Sequence, residues 1–419
     1  MKKRLTAILL LVSLLSSLLL SGCMTAGAAS TDLMKGVKAS ENVPEHGLIL
    51  SDAEAATDFG VRLLQSLRES GENSLISPVS ILYALGMTMN GAAGETRAQM
   101  EETLGFSAED LNIYLHSYKA ALPATDNKRV EMPKLNISNG IWFRDMEGLN
   151  VKPEFLQTNA DYYGSEARKA PFTQATVDEI NGWVSKNTDG MIPGIVNNLD
   201  ETLMVLVNAL CFDGKWDKEY EPEDVTEGEF TTASGAAQPA KYLNSNESFF
   251  YEDESCLGVM KQYQGRQYAF VGLLPNEGIS LDEFVDSLTG EKLQNLLSNP
   301  QHGIVHTRIP KFEGAQSYEL ADTLMEMGMA DAFSPETADF SGMADYPLHI
   351  GFVKHKTYIK LDEHGTRAAA VTAVGMSGGT GAAVEPRVVD VYLERPFVYL
   401  LIDMKTRLPI FIGTVESLG

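Results

Sequence analysis

The chain has 419 residues, of which 44% are hydrophobic, and its formal net charge is −24 at pH 7. This length and apolar content suffice for one large hydrophobic core or two small ones. So large an acidic excess argues against binding to nucleic acid, to heparin-like polyanions or to anionic lipid headgroups through the protein surface, because like charges repel.

The N-terminus has the pattern of a secretion signal. Residues 2–4 (Lys-Lys-Arg) precede a mostly apolar run, Leu5–Leu20, which is short for a transmembrane span. Residues 20–23 (Leu-Ser-Gly-Cys) resemble a bacterial lipobox, whose cysteine is lipidated and becomes the new N-terminus. We therefore expect a lipoprotein signal peptide over residues 1–22 and a lipid on Cys23 that anchors the protein to the cell membrane, on its extracellular face or in the periplasm. Plain secretion and an uncleaved anchor are the alternatives.

The segment after the signal is predicted to be a tether followed by one domain. Residues 23–50 are rich in Ala, Ser, Gly and Thr, a composition typical of flexible linkers, and residues 51–419 form the domain. Two further cysteines, Cys211 and Cys256, are too few for a disulfide framework in so large a domain. We favour free thiols and expect Cys211 to be buried, with a single bridge as the alternative.

The first part of the domain is predicted to be mainly helical. Ser51–Arg68 carries an apolar stripe at helical spacing, with Ser51 as its expected N-cap. Val79–Asn90 is apolar on nearly every side, so this helix should be buried. A third helix starts at Thr96, after a glycine-containing turn, and a further amphipathic helix is expected over Val177–Thr188.

Strand-like segments dominate the later part of the chain. Because helices come early and strands late, the fold class is α+β with large antiparallel or mixed sheets, rather than a doubly wound parallel fold. The predicted strands are Leu135–Phe143, Met204–Phe212, Tyr268–Leu274, Val305–Phe312, Val388–Tyr392, Phe397–Asp403 and Leu408–Val415.

In residues 362–374, β-branched residues alternate with very small ones and no proline occurs, so this stretch also reads as a strand, and a glycine-rich run, 375–383, follows it. If Thr366, Ala368 and Ala370 face one way, that face is small and uncharged, so the strand fits between two others without a clash. An ordinary strand with a loose linker is the alternative.

Several separated segments share their order and spacing with one known family. They are Asn73–Ile81, Gly91–Thr96, Val207–Trp216, Phe270–Pro275, Ile309–Phe312, His355, Pro396–Val398 and Phe411–Gly413. Together they resemble the serpins, a family of serine protease inhibitors, and the resemblance covers essentially residues 51–419. It implies the serpin fold, with a large central mixed or antiparallel sheet, further sheets, about eight or nine helices and an exposed reactive-centre loop.

The resemblance also implies a mechanism and a set of functional residues. Serpins are not enzymes: a target serine or cysteine protease attacks the loop and forms a covalent acyl complex, and the cleaved loop then enters the main sheet. Neither a cofactor nor a metal is implied, and we expect a monomer. The hinge and reactive loop would span about residues 363–390. The implied hinge residues are Glu363, Gly365, Thr366, Ala368, Ala369, Ala370 and Thr372, and the implied sheet-opening residues are Ser77, Asn208, Trp216 and His355. Taken singly, Ser77, Asn208 and His355 read more readily as hydrogen-bonded polar residues of the core, and it is their joint occurrence at the family's positions that favours a role in sheet opening.

The sequence limits the scissile bond to a short interval but does not identify it. Counting forward from Gly365 by the family's spacing reaches Gly379, and counting back from Pro396 reaches Glu385, so the loop is about six residues longer than usual. Small residues in this interval suit elastase-like or subtilisin-like proteases. The interval consists of Gly379, Thr380, Gly381, Ala382, Ala383, Val384 and Glu385. The alternative is a non-inhibitory serpin that serves as a binding or structural module, or a simple protease substrate.

Two motifs resemble those of enzymes, but their surroundings do not fit an active site. Residues 375–379 fit the G-x-S-x-G nucleophile pattern, but a nucleophile elbow needs a helix after the serine and a later histidine, and the last histidine is His364. The histidines of 302–306 have zincin spacing, but Gly303 stands where the catalytic Glu is needed.

Overall fold

The computed structural model describes residues 30–122, 132–199, 202–366 and 386–418. Within these ranges the helices are α1 (Leu50–Leu67), α2 (Pro78–Met89), α3 (Gly94–Leu104), α4 (Ala108–Ala120), α5 (Pro153–Tyr163), α6 (Gln174–Asn187), α7 (Leu281–Asp286), α8 (Gly290–Ser298), α9 (Ala321–Leu324) and α10 (Ala330–Phe333). A π-helical turn, Met325–Met329, joins α9 to α10, and 3-10 turns lie at Pro222–Asp224 and Gln264–Arg266.

Two mixed sheets form the rest of the domain. The strands are β1 (Thr31–Asp32), β2 (Ser74–Ile76), β3 (Lys134–Arg144), β4 (Glu166–Ala170), β5 (Met204–Lys215), β6 (Val225–Thr231), β7 (Ala237–Glu252), β8 (Cys256–Gln262), β9 (Tyr268–Pro275), β10 (Gln301–Pro310), β11 (Phe312–Glu319), β12 (Lys354–Leu361), β13 (Gly365–Thr366), β14 (Val388–Tyr392), β15 (Phe397–Asp403) and β16 (Pro409–Val415). The seven-stranded sheet has the order β1-β4-β3-β5-β13-β12-β11. The nine-stranded sheet has the order β14-β10-β7-β8-β9-β15-β16-β2, with β6 beside β7. The predicted α+β class with large mixed sheets is confirmed.

Two local predictions were wrong. Helix α1 begins at Leu50, and Ile49 rather than Ser51 occupies its N-cap position without a side-chain cap. The strand predicted over Val305–Phe312 is two strands, since β10 ends at Pro310 and β11 begins at Phe312 in the other sheet. Apolar alternation with a period of two runs through both strands, so the pattern does not reveal the change of sheet.

The main hydrophobic core lies between the two sheets, around α2. All but one residue of this helix are buried, as its composition predicts, and it contacts both β5 and β16. Strands β15 and β16 are buried along their whole length. A second apolar cluster, which includes Trp142, Ile180 and Val205, packs α6 against the outer face of the seven-stranded sheet. Helix layers therefore cover both faces of that sheet around β3 and β5.

The second half of the predicted tether is docked on the domain. Thr31 and Asp32 pair antiparallel with β4 and so add an edge strand to the seven-stranded sheet. Farther along, both the backbone N–H and the hydroxyl of Ser40 donate to Asp161, and the backbone N–H of His46 donates to Ser117 Oγ. From Ser30 onward the segment is therefore part of the folded domain, because specific hydrogen bonds offset the flexibility that its composition indicates.

Both cysteines in the described ranges, Cys211 and Cys256, are free and buried, which confirms the favoured prediction. Burial raises the pKa of the Cys256 thiol well above its usual range. None of the helices in the described ranges is both long and apolar enough to cross a membrane.

Replacement of Gly413 by Ala should destabilise the fold by about 1–3 kcal/mol, the usual range for overpacking. The new Cβ would lie 2.2 Å from the backbone oxygen of Ser74 and 2.8 Å from Tyr399 Oη, so β2 or β16 would have to shift. Urea unfolding measures the effect. Gly182→Ala is the matched control, because the same Cβ on α6 meets nothing within 4 Å and Ala favours the helix. Equal stability of Gly413→Ala and the wild type would contradict the described packing.

Candidate functional site

The seven-stranded sheet holds a short inserted strand between β5 and β12. Gly365 pairs with Lys215 and Thr366 with Gly214 on β5, while Thr366 also pairs with Leu361 on β12. In the part of the chain that the structure describes, no ladder joins β5 directly to β12. A strand that continues from β13 can therefore pair with both neighbours.

Polar side chains meet at the base of this gap, around the first turn of α2. Ser77 accepts a hydrogen bond from the backbone N–H of Ser80 (3.3 Å), and its own N–H donates to His355 Nε2 on β12 (3.0 Å). On β5, Asn208 accepts from the hydroxyl of Ser80 and donates to Asn139 on β3 (2.6 Å). The sequence-predicted residues Ser77, Asn208 and His355 are thus brought together, and one helical turn links both edges of the gap.

His355 is buried and uncharged. Its burial lowers the imidazole pKa to about 3, because the protonated ring would lose its hydration. Since Nε2 accepts a hydrogen bond, the single proton of the neutral ring lies on Nδ1. A polar but uncharged contact therefore joins β12 to α2, and it can be broken without separating two ions.

Trp216, the fourth predicted sheet-opening residue, lies at the opposite end of the gap. Its indole N–H donates to the carbonyl oxygen of Asp362 (2.9 Å), and its backbone N–H donates to that of His364 (3.0 Å). The indole is fully buried and stacks on Tyr263, with ring centroids 4.5 Å apart. Trp216 thereby holds the chain on both sides of Glu363.

Glu363 is anchored through its backbone and its side chain. Its carbonyl oxygen accepts from the backbone N–H of Tyr220 (3.1 Å), and its carboxylate forms an ion pair with Lys311. The hydrogen bond from Lys311 lowers the pKa of the Glu363 carboxyl. Next in the chain, His364 Nδ1 lies 2.9 Å from a carboxylate oxygen of Glu219. The start of the predicted hinge is therefore held both by the segment after β5, through Glu219 and Tyr220, and by Lys311.

Gly365 and Thr366 enter the gap with side-chain requirements that the sequence meets. A Cβ at Gly365 would lie 2.1 Å from the carbonyl oxygen of Gly214, so only glycine fits this approach without a shift. The Thr366 side chain is buried, and its hydroxyl lies 2.6 Å from Tyr263 Oη. Thr366 thus faces inward, as a member of the small, uncharged face that the sequence predicts.

Other site predictions lie outside the described residues. They are the lipidation site Cys23, the hinge residues Ala368, Ala369, Ala370 and Thr372, and the reactive-bond interval from Gly379 to Glu385. In the described ranges, no group of three or more His, Cys, Asp or Glu side chains could hold a metal ion.

Sequence reasoning missed several residues that hold the hinge. Tyr263, Lys311 and Tyr220 lie on three separate segments, and each contacts the hinge only through the tertiary fold. Lys311 lies near the end of the predicted strand Val305–Phe312, and its ammonium group pairs with Glu363. Its position in an alternating strand pattern carries no information about this distant partner.

The chain belongs to the serpin family. The sequence model described as Serpin (serine protease inhibitor) matches residues 54–418. Leukocyte elastase inhibitor A of Mus musculus is 32% identical over 386 residues, which are 87% of this chain and 99% of the relative. Alpha-1-antiproteinase of Callosciurus caniceps is 32% identical over 415 residues, with 96% and 97% coverage. These relatives are named as inhibitors rather than as enzymes.

Solved structures show the same fold. The thermophilic serpin tengpin in its native state is 40% identical, has a TM-score of 0.85 and is matched over 93% of this chain and 100% of its own. Tengpin in its latent state gives a TM-score of 0.78, with 90% and 100% coverage. The predicted serpin fold is confirmed, and of these two states the described arrangement resembles the native one more.

Acid should weaken the native state through His355. The unfolded chain binds a proton near pH 6.5, whereas the buried imidazole has a pKa of about 3. As the pH falls below about 6.5, His355 should therefore lower the free energy of unfolding by about 1.4 kcal/mol per pH unit. His355→Gln should lose this part of the pH dependence, as measured by urea unfolding at pH 7 and pH 5.

The matched control for this experiment is His302→Gln, which removes an exposed histidine from β10. This variant should keep the wild-type slope between pH 7 and pH 5. If His355→Gln also keeps that slope, His355 is not the group that resists protonation in the native state.

Charge reversal at Lys311 should loosen the hinge. Lys311→Glu places two carboxylates beside each other where the chain enters the gap, and it should lower the free energy of unfolding by about 1 kcal/mol. Glu363→Lys should act similarly, and the doubly reversed variant should recover stability. Urea unfolding and amide exchange of residues 361–366 measure the effect. Additive losses in the double variant would show that the ion pair does not hold the hinge.

Proposed function

We propose that this serpin inhibits serine proteases, and cysteine proteases of the same specificity, by trapping them on its reactive loop. After attack on the loop and formation of the acyl-enzyme, the freed segment enters the gap between β5 and β12 as a new strand. The observation that carries the proposal is β13, where Gly365 and Thr366 already pair with the flanking strands. Insertion of the cleaved loop then extends a hydrogen-bonded ladder that already exists, so the first pair of hydrogen bonds does not have to form anew.

The residues that follow β13 suit this movement. Ala368, Ala369, Ala370 and Thr372 are small, and no proline interrupts the run from Gly365 to Val374. Each new backbone hydrogen bond contributes roughly 0.5–1.5 kcal/mol net, and the buried side chains add to this. Cleavage therefore releases a segment that gains free energy by entering the sheet, and the attached protease is carried with it.

The proposed targets have small primary specificity pockets. The interval from Gly379 to Val384 consists of Gly, Thr, Ala and Val, which fit the pockets of elastase-like and subtilisin-like proteases. A relative of this chain is named a leukocyte elastase inhibitor, which supports the elastase-like class. The identity of the bond within this interval is left to the experiment below.

The proposal includes a lipid anchor at Cys23 that holds the inhibitor outside the cytoplasm as a bacterial lipoprotein. Its support is the lipobox-like order of residues 20–23 after a basic and apolar leader. Because Ser30 onward is docked on the domain, the chain between Cys23 and Ser30 reaches at most ~25 Å. Such an anchor keeps β4 and α6 close to the membrane.

A second function is a non-inhibitory serpin, which binds a partner or is simply cut by proteases. The observation that favours it is the length of the loop, which exceeds the family's usual spacing by about six residues. A longer loop delays the arrival of the protease at the far end of the sheet, so deacylation can occur first.

The deciding experiment mixes the protein with an elastase and with subtilisin, followed by denaturing gels and mass spectrometry. Trapping predicts a covalent complex that survives denaturant and a released C-terminal fragment, whose mass identifies the cleaved bond. Cleavage of the loop by both proteases without any complex would support the second function instead.

Thr366→Arg should abolish the complex, and circular dichroism of the uncut variant checks that the rest of the domain stays folded. A buried arginine beside Tyr263 cannot enter the gap without losing its hydration, so the loop should be cut as a substrate. Thr366→Ser, which keeps the hydroxyl, is the matched control and should trap protease as the wild type does. If Thr366→Arg traps protease at the wild-type stoichiometry, loop insertion through this position is the wrong mechanism.

A further inference from the structure

A polar cavity of about 320 Å³ opens beside the hinge but outside the gap. Its walls come from the segment 218–220 that follows β5, from 244–246 on β7, from Lys261 on β8, from 306–308 on β10 and from Tyr392 at the end of β14. The volume lies at the lower end of the range that small-molecule sites occupy. The trapping mechanism gives this cavity no role.

A buried ammonium group lies in the wall of the cavity. The Lys261 side chain is 3% exposed, and its Nζ donates to Glu247 (2.9 Å) and lies 4.2 Å from the centre of the Tyr220 ring. Among the residues that the structure describes, Glu247 is the one hydrogen-bond acceptor recorded for its three N–H donors. Burial lowers the pKa of Lys261, and the pairing with Glu247 opposes this shift. The site therefore has capacity for a further negative group.

Hydroxyl groups extend this polar wall. Ser245 Oγ donates to Glu247 (2.6 Å) and lies 2.9 Å from Thr307 Oγ1 and 3.4 Å from Tyr220 Oη. Three side chains from three different segments, Ser245, Thr307 and Tyr220, are thus linked by hydrogen bonds to Glu247, the acceptor of Lys261. Such a connected network holds its donors in fixed positions, which is the condition for selective recognition of a small polar ligand.

The charge of the lining is unusual for this protein. Two lysines face the cavity in a chain of net charge −24, Lys218 at the rim and Lys261 inside. Against the two acidic side chains of the lining, Glu219 and Asp224, stand three basic ones, Lys218, Lys261 and Arg308, which is a formal excess of one positive charge. The cavity therefore favours an anion.

The donors indicate which anion. Phosphate sites commonly use a bidentate arginine or the backbone N–H groups of a helix N-terminus. Here the one arginine of the lining, Arg308, is tied to Glu394 and lies over the Tyr242 ring, and no α-helix contributes to the lining. The donors that remain for a ligand are the ammonium groups of Lys218 and Lys261, which pair with carboxylates as point charges.

The cavity shares a wall with the hinge anchor. Tyr220, whose ring faces the cavity, holds the carbonyl oxygen of Glu363 through its backbone N–H. The ammonium of Lys261 also lies 5.5 Å from the ring of Trp216, which binds the chain on both sides of Glu363. A ligand that contacts Lys261 and Tyr220 would therefore stiffen the segment that holds the hinge.

We propose that this cavity binds a small di- or tricarboxylate through Lys261 and Lys218, and that its occupancy tightens the hold of Trp216 and Tyr220 on the hinge. The site is separate from the reactive loop, and binding does not depend on the inhibitory function. Because coupling between two sites is reciprocal, hinge insertion should in turn alter the affinity for the carboxylate.

Calorimetric titration of the full protein with citrate, succinate and inorganic phosphate, at matched ionic strength, tests binding. We expect citrate or succinate to bind with a Kd in the micromolar to millimolar range and more tightly than phosphate. Amide exchange should slow in peptides that contain Trp216 and Tyr220 when the carboxylate is bound. Absence of carboxylate binding, tighter binding of phosphate, or unchanged exchange at the hinge anchor would each overturn the proposal.

Three variants locate the site. Lys261→Met combined with Glu247→Gln removes the buried charges together and should raise the Kd for the carboxylate at least about tenfold. Lys218→Ser removes one exposed charge at the rim of the cavity, so it should not disturb folding. This variant should raise the Kd for the carboxylate about threefold. Lys405→Ser removes a charge from an exposed turn elsewhere and should leave the Kd for the carboxylate unchanged. Equal affinity of Lys218→Ser and Lys405→Ser would show that the carboxylate binds outside this cavity.

Discussion

The structure depends on a gap in its main sheet that one further strand can fill. Strands β5 and β12 are bridged at one end by Gly365 and Thr366, and among the described residues no ladder joins them directly. A sheet is most stable when neighbouring strands pair along their length. The position of β13 therefore marks both where hydrogen bonding is incomplete and where the chain can complete it.

The two ends of this gap are held by different kinds of contact. At the base, neutral groups around Ser77 and His355 make hydrogen bonds that can be exchanged one at a time. At the mouth, Trp216 fixes the backbone on both sides of Glu363, while Lys311 pairs with its carboxylate. The two hydrogen bonds from the buried Trp216 and the partly exposed ion pair act together, so the mouth is the firmer anchor.

Around the gap, the fold is organised so that movement is confined to a few elements. The fully buried strands β15 and β16 and the buried helix α2 form a rigid core beneath the sheet. The segment from Ser30 covers the far edge of the same sheet through β1. The polar cavity around Lys261 lies on the remaining side of the hinge anchor.

Much of this protein was determined by its sequence alone. The apolar periods predicted helices α1, α2, α3 and α6 and strands such as β5, β9 and β15. The spacing of segments such as Val207–Trp216 indicated the serpin fold, and the small residues after Gly365 predicted an insertable hinge, because these features are local in the chain. Only the tertiary structure decided which distant groups meet. Lys311 and Glu363 are 52 positions apart, and Thr366 reaches Tyr263 across 103. The docking of the segment after Ser30 and the cavity around Lys261 could not be predicted from the sequence either. The apolar and polar pattern of a segment indicates which of its residues are buried, but it does not indicate which distant residues they contact.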